Sequence, residues 1–128
     1  MDQLALQSQV QFLGFIEPVD LPCVYAGADV FVLPSLEDTF GVVATEALAS
    51  GLSVICSQYA GFSTFLTDGQ NGFIIDPENH DQLAERMLRL LQDETLRVCF
   101  RQNGQALLEF FSPDYVAQQF EAAVSSVL

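Results

Sequence analysis

Residues 29 to 57, DVFVLPSLEDTFGVVATEALASGLSVICS, constrain the fold more than any other part of the chain. Two continuously apolar, β-prone runs, 29 to 35 and 53 to 57, bracket a segment from 42 to 49 that Ser50-Gly51 ends as a helix C-cap does. Strands without polar alternation are buried on both faces, and strands joined through a helix pair in parallel. The pattern extends in both directions. VQFLGF (10 to 15), closed by Gly14, is a further strand candidate, and FIID (73 to 76) follows the turn-rich TDGQNG. EPVDLPCVYAGA has helix-like apolar spacing at Leu21, Val24, Tyr25 and Ala28, with Pro22 in the first turn. The predicted class is α/β: a partial, Rossmann-like doubly wound parallel sheet of about four strands, followed by carboxyl-terminal helices.

From Asn79 onward the pattern is helical only. Asn79 with Gln82 forms a capping box, and Leu83, Met87, Leu90 and Leu91 form an apolar stripe. A second helical stretch is interrupted at Gly104; a third starts with Ser112 as N-cap and Pro113 at the first position, with a stripe at Val116, Phe120, Ala123 and Val127. Phe100, Phe110, Phe111 and Phe120 are expected in helix–helix packing. No repeat or linker divides the chain, so residues 1 to 128 read as one domain.

Charge narrows the partners. Seventeen acids against four arginines and no lysine give −13, a surface that repels phosphate backbones and anionic lipid, so nucleic acid and membrane are excluded as partners. No apolar run approaches the roughly 20 residues of a membrane span, and no basic leader opens the chain; a cytoplasmic location is expected. Cys23, Cys56 and Cys99 are odd in number and have apolar neighbours, the pattern of reduced core thiols rather than of a disulfide framework or a zinc site. No metal is expected. His80, the only histidine, reads as a neighbour of the Asn79 cap rather than a base, and the late arginines as ion-pair partners of Glu85 and Asp93.

The chemistry concentrates between residues 34 and 49. A strand ending at Pro34-Ser35, a loop with Gly41 and a helix from about Val42 set backbone amides at the carboxyl edge of the sheet, where a phosphate is attracted by free N–H groups and the helix dipole. Gly41 has no Cβ to hold an anion away. Glu46 is the acidic residue of an otherwise almost wholly apolar helix, expected to be buried on most sides. A carboxylate there costs several kcal/mol unless something answers it. Two readings stay open: a narrow solvent-facing strip, or a bidentate acceptor for the hydroxyls of a sugar or ribose diol.

FVLPSLEDTFGVVATEALASGLSVICS, AGFSTFLTDGQNGFIID and the helical tail resemble the carboxyl half of the GT-B retaining glycosyltransferases. That family carries Pro-Ser, then Glu-x-Phe-Gly, a second Glu eight positions after the first, and Ala-x-Gly-x-Pro-Val. Pro34-Ser35, Phe40-Gly41, Glu46-Ala47 and Ala49-x-Gly51 stand in those places. The resemblance implies that Glu46 accepts the ribose hydroxyls of a nucleotide-diphosphate sugar of UDP, GDP or ADP type, and that the backbone of Phe40, Gly41 and Val42 holds its distal phosphate. It places Asp38 where the family's first glutamate orients the transferred sugar, and Ala60-Gly61 on its Gly-Gly. No cofactor besides the donor is implied. Asp38 is one methylene shorter than a glutamate and reaches about 1.5 Å less far. Ser53 replaces a usual proline and Thr64 a frequent glutamate.

The family's diphosphate-binding Arg and Lys lie in upstream βα units, and its acceptor site lies in an amino-terminal domain. The chain is therefore expected to be a truncated donor-binding domain with little or no turnover alone, completed by a separately encoded amino-terminal half or by a homodimer. On strand order 3-2-1-4-5-6, the 10-to-15 strand either re-pairs or leaves a gap that a partner fills. The alternative function is a non-catalytic remnant or interaction subunit; a flavodoxin-like regulator lacks acids at the right strand ends.

Overall fold

The computed structural model describes residues 5–127. Three parallel strands, β1 (Val30–Leu33), β2 (Ser53–Ser57) and β3 (Phe73–Ile75), lie side by side in that order. Val30 pairs with Ser53 and Leu33 with Cys56; Ile55 pairs with Phe73 and Ser57 with Ile75. β2 is central and buried at every position, as its unbroken apolar run requires. Its two hydroxyls are satisfied: Ser53 donates to the Arg97 carbonyl at 3.3 Å, and Ser57 accepts from the Tyr59 amide at 3.1 Å.

Successive β2 side chains face opposite ways and build two cores. Val54 and Cys56 pack with Ala44, Ala47, Leu48 and Phe62, so α2 (Val42–Ala49) covers one face. Ile55 packs with Phe73, Ile75, Leu90 and Phe100, so α3 (His80–Gln92) and α4 (Glu94–Gln105) cover the other. α1 (Leu21–Ala26) joins the first core through Tyr25, with a proline in its first turn as the sequence predicts. The α/β class and the parallel sheet stand.

The strand expected at residues 10 to 15 does not. Gly14 takes φ +68, a left-handed kink that ends extension, and the segment lies open, with Phe12 81% and Phe15 83% exposed. Sequence reports β propensity, whereas a strand also needs an extended backbone docked on a neighbour, which this kinked, exposed segment lacks. Among the described residues the outer edge of β1 has no partner strand.

The carboxyl-terminal helices follow their caps. Asn79 accepts from the Gln82 amide at 3.0 Å, although the Gln82 side chain turns to the Asp76 amide instead of closing a box. Asp93 caps α4 by accepting from the Leu96 amide, so it is not the ion-pair partner expected. Arg86 does meet Glu85, at 3.4 Å, and also Asp68, at 3.7 Å. Gly104 does not interrupt α4; a Cβ there would stand 2.5 Å from Leu48 Cδ1, so it is the contact point with α2. After the 3-10 turn Ala106–Phe111, Ser112 caps α5 (Pro113–Ser125). Its stripe is not core: no described α5 residue is buried, Phe120 is 71% exposed and Phe110 is exposed as well, whereas Phe100 and Phe111 pack as expected. Among the described residues no helix is long and apolar enough to cross a membrane.

Candidate functional site

The loop leaving β1 is fixed by the loop leaving β2. Asp38 and Ala60 form an isolated parallel bridge; the Gly61 amide donates to the Asp38 carbonyl at 3.1 Å, and the Phe62 amide donates to the Phe40 carbonyl. Two backbones run so close that a Cβ on Gly61 would overlap the Thr39 carbonyl oxygen and lie 3.1 Å from Phe40 Cα. The Asp38 carboxylate closes an Asx turn by accepting the Phe40 amide at 3.0 Å. Beneath it, the Phe40 ring meets Phe62, Phe65 and Phe111 edge-on, with centroids 5.7 to 6.4 Å apart. Gly41 then starts α2 at φ +87, ψ +50, where a side chain would be strained and a Cβ would crowd Leu33 and Phe62.

The amides of Gly41, Val42 and Val43 have no acceptor among the described residues. They stand at the amino end of α2, over the carboxyl ends of the strands, where an anion is favoured. The Phe40 amide is not available to a phosphate, because Asp38 holds it; of the three residues expected to cradle phosphate, Phe40 shapes the turn and Gly41 and Val42 offer amides.

α2 is less buried than its apolar sequence suggests, and Glu46 lies on its solvent-facing side, one of the two readings left open. α2 is buried through Ala44, Ala47 and Leu48, but Val42, Val43, Glu46 and Ala49 are exposed. Small alanines let one face approach the sheet closely and leave the other apolar face outside. The carboxylate therefore carries no large burial cost, and that argument for a ligand falls. What remains is its setting. Glu46 lines a cavity of about 270 Å³ between α1 and α2, walled by Pro18, Leu21 and Ala49, and its Oε2 accepts from the Tyr25 hydroxyl at 3.2 Å. Burial, then the Glu46 hydrogen bond and charge, push the Tyr25 hydroxyl above its usual range, so it stays a donor. Tyr25 was missed in the sequence, where it reads as part of an apolar stripe; its phenol oxygen was the only signal.

The cysteines differ from expectation: Cys23 and Cys99 are exposed, and only Cys56 is a core thiol. Burial, then the charge of Asp38, push the Cys56 thiol up to about 11. Its neutral form supports the fold fully below pH 9, and that support is lost as pH rises toward 11. A chromogenic thiol reagent at pH 7.5 is expected to modify Cys23 and Cys99 quickly and Cys56 only in denaturant; three equally fast thiols in native buffer would contradict this burial.

A wider cavity of about 550 Å³ opens at the start of α3, between Pro34 and Leu36 of the loop leaving β1 and Pro77 and His80. His80 is an exposed residue there, as the sequence suggests. Three of the four arginines are occupied elsewhere: Arg86 and Arg89 lie over the Phe73 ring, and Arg97 donates to the Leu90 and Leu91 carbonyls, whereas Arg101 is exposed beside Gly51. Among the described residues no group of three His, Cys, Asp or Glu could hold a metal.

Three parallel strands covered by helices on both faces, with loops gathered over their carboxyl ends and α2 presenting open amides there, define an α/β domain. The chain belongs to the family of glycosyl transferases group 1, whose sequence model matches residues 1–107. A glycosyltransferase of Methanocaldococcus jannaschii, itself uncharacterized, is 35% identical over 118 residues, 91% of this chain and 30% of its own length. Anabaena HepE in complex with UDP superposes with a TM-score of 0.85 at 28% identity, over 98% of this chain and 34% of that one. The C-terminal domain of a Francisella tularensis glycosyl transferase group 1 family protein superposes with a TM-score of 0.77 at 32% identity, over 84% of this chain and 56% of that one. The resemblance to GT-B glycosyltransferases is borne out. The chain spans about 30% of the length of the curated relatives it matches.

Proposed function

We propose that this chain is the donor-binding part of a retaining glycosyltransferase, which takes a sugar from a nucleotide-diphosphate sugar to a hydroxyl acceptor. The observation that carries the reading is the pairing of a carboxylate at the rim of a cavity with open amides at the amino end of the same helix. Relatedness to HepE, which is seen in complexes with UDP and with UDP-glucose, supports it. In this reading Glu46 accepts the ribose hydroxyls, and the Gly41 and Val42 amides hold the distal phosphate through the α2 dipole. Phe40 and Gly61 keep the turn in shape, and Asp38 orients the sugar with the carboxylate oxygen not used by the Phe40 amide. The bond from the anomeric carbon to the diphosphate breaks, the diphosphate takes the electron pair, and the acceptor oxygen bonds on the same face as its hydroxyl proton passes to the departing diphosphate.

Diphosphate leaving demands cationic stabilisation. Arg86, Arg89 and Arg97 are engaged on the α3–α4 side, and Arg101 lies beside Gly51, past the carboxyl end of α2, so in this reading the diphosphate draws its cations from an amino-terminal half or a second copy. The exposed apolar residues of the 10-to-15 segment and of α5 favour a docking role alongside donor binding. Calorimetric titration with UDP, GDP and ADP and their glucose conjugates is the test. One nucleotide is expected to bind, and Glu46→Gln to weaken it by about tenfold to a hundredfold, since hydrogen bonds to a charged acceptor are worth about 1.5–3 kcal/mol. Absence of binding to all of them at millimolar concentration would overturn the reading.

A further inference from the structure

We propose that Tyr25 is the positioning residue for Glu46: its hydroxyl pins one carboxylate oxygen at the cavity rim and leaves the other to receive the ligand's hydroxyls. The inference rests on the donor-binding reading above.

A glutamate on an exposed helix face samples many rotamers, and fixing it on ligand binding costs conformational entropy. Glu46 is such a residue, except for one bond. The Tyr25 hydroxyl reaches its Oε2 at 3.2 Å across 21 residues of sequence. Ser50, the C-cap of α2, hydrogen-bonds the Glu46 main-chain carbonyl at 2.9 Å and not the carboxylate. Among the described residues no arginine or lysine pairs with Glu46.

Tyr25 can act as a post because its ring is packed in the core. It is only 8% exposed, sits in the core under α2, and meets Phe31 of β1 edge-on with centroids 6.0 Å apart. It lines the same cavity as Glu46. Burial and the carboxylate raise its pKa, so the phenol keeps its proton and donates throughout the neutral range. Pre-organising an acceptor lowers the ordering cost of each hydrogen bond it makes. The oxygen left free has two lone pairs, so it can accept from both hydroxyls of a vicinal diol and loses one of those bonds when only a single hydroxyl is present.

The test compares the full chain with Tyr25→Phe, Glu46→Gln and the double variant, by titration with UDP, GDP and ADP and their 2′-deoxy forms. The parent chain is expected to prefer the ribose form of its nucleotide by about tenfold. Tyr25→Phe should reduce that preference about threefold or more, with the affinity for the 2′-deoxy form within about twofold of the parent's. Glu46→Gln should abolish the preference, and adding Tyr25→Phe to it should change nothing further, the signature of a coupled pair. A second measurement is independent of nucleotide: in an ultraviolet titration of the three tyrosines, Glu46→Gln should shift the most alkaline transition downward. Full ribose preference in Tyr25→Phe, or an unmoved tyrosinate titration in Glu46→Gln, would overturn the positioning role and leave donor binding standing. Loss of ribose preference in the parent chain itself would overturn the donor-binding reading, and this inference with it.

Discussion

Gly61→Ala is expected to lower the melting temperature by about 12 °C and to abolish nucleotide binding. The added Cβ would overlap the Thr39 carbonyl oxygen and press on Phe40 Cα, both of them backbone, so no side chain can swing away to relieve it. The two loops must part. Parting them breaks the bonds from the Gly61 amide to the Asp38 carbonyl and from the Phe62 amide to the Phe40 carbonyl. Two such bonds with their packing cost about 3 kcal/mol, and a domain of this size loses roughly 4 °C per kcal/mol. Gly104→Ala is the matched control. Its Cβ would also be too close to a neighbour, but that neighbour is Leu48 Cδ1, the end of a flexible side chain, so a smaller loss of about 1 kcal/mol is expected. Calorimetric melting of both variants decides the matter: a Gly61→Ala chain melting within about 3 °C of the parent would show that the loops are not stitched in this way.

Phe62→Ala should cost about 3–5 kcal/mol, as a large-to-small change at a fully buried aromatic does. The site should feel it as well. Phe62 lies under Gly41 and packs against Phe40, Phe65 and Phe111, so its ring is the floor of the turn that presents the α2 amides. With the floor gone, the Phe40–Gly41 turn gains freedom and must be ordered again by any ligand, so affinity falls more than a remote core cavity of equal cost would make it fall. Phe100→Ala supplies that comparison, because Phe100 packs on Phe73 in the opposite core. Urea unfolding should rank the two variants together, and nucleotide titration should separate them. Equal affinities in both would show that the aromatic floor has no part in shaping the site.

Much of the architecture was legible because it is local. β2, α2 and the caps at Asn79 and Ser112 each follow from short-range spacing, and each lies where that spacing put it. The misreadings share one cause. Residues 10 to 15 have strand chemistry but pair with no strand, the stripe of α5 has core chemistry without a core, and Cys23 and Cys99 have apolar neighbours in sequence but solvent in space. Local pattern reports what a segment can bury, not whether anything is there to bury it.

For the candidate site the division is sharper. The sequence by itself determined the order of strands and helices, the glycine that opens α2 and the single carboxylate on that helix. Only the tertiary structure decided which face of α2 is buried, that Asp38 holds the Phe40 amide while its main chain joins Gly61, and that Tyr25 answers Glu46. α2 is apolar on two sides, so periodicity offered no preference between them; the choice was made by Ala44 and Ala47, small enough to let the helix settle on the sheet. Once it settled, the packing of α1 and the loops fixed partners some 20 residues apart, a distance over which no local propensity acts.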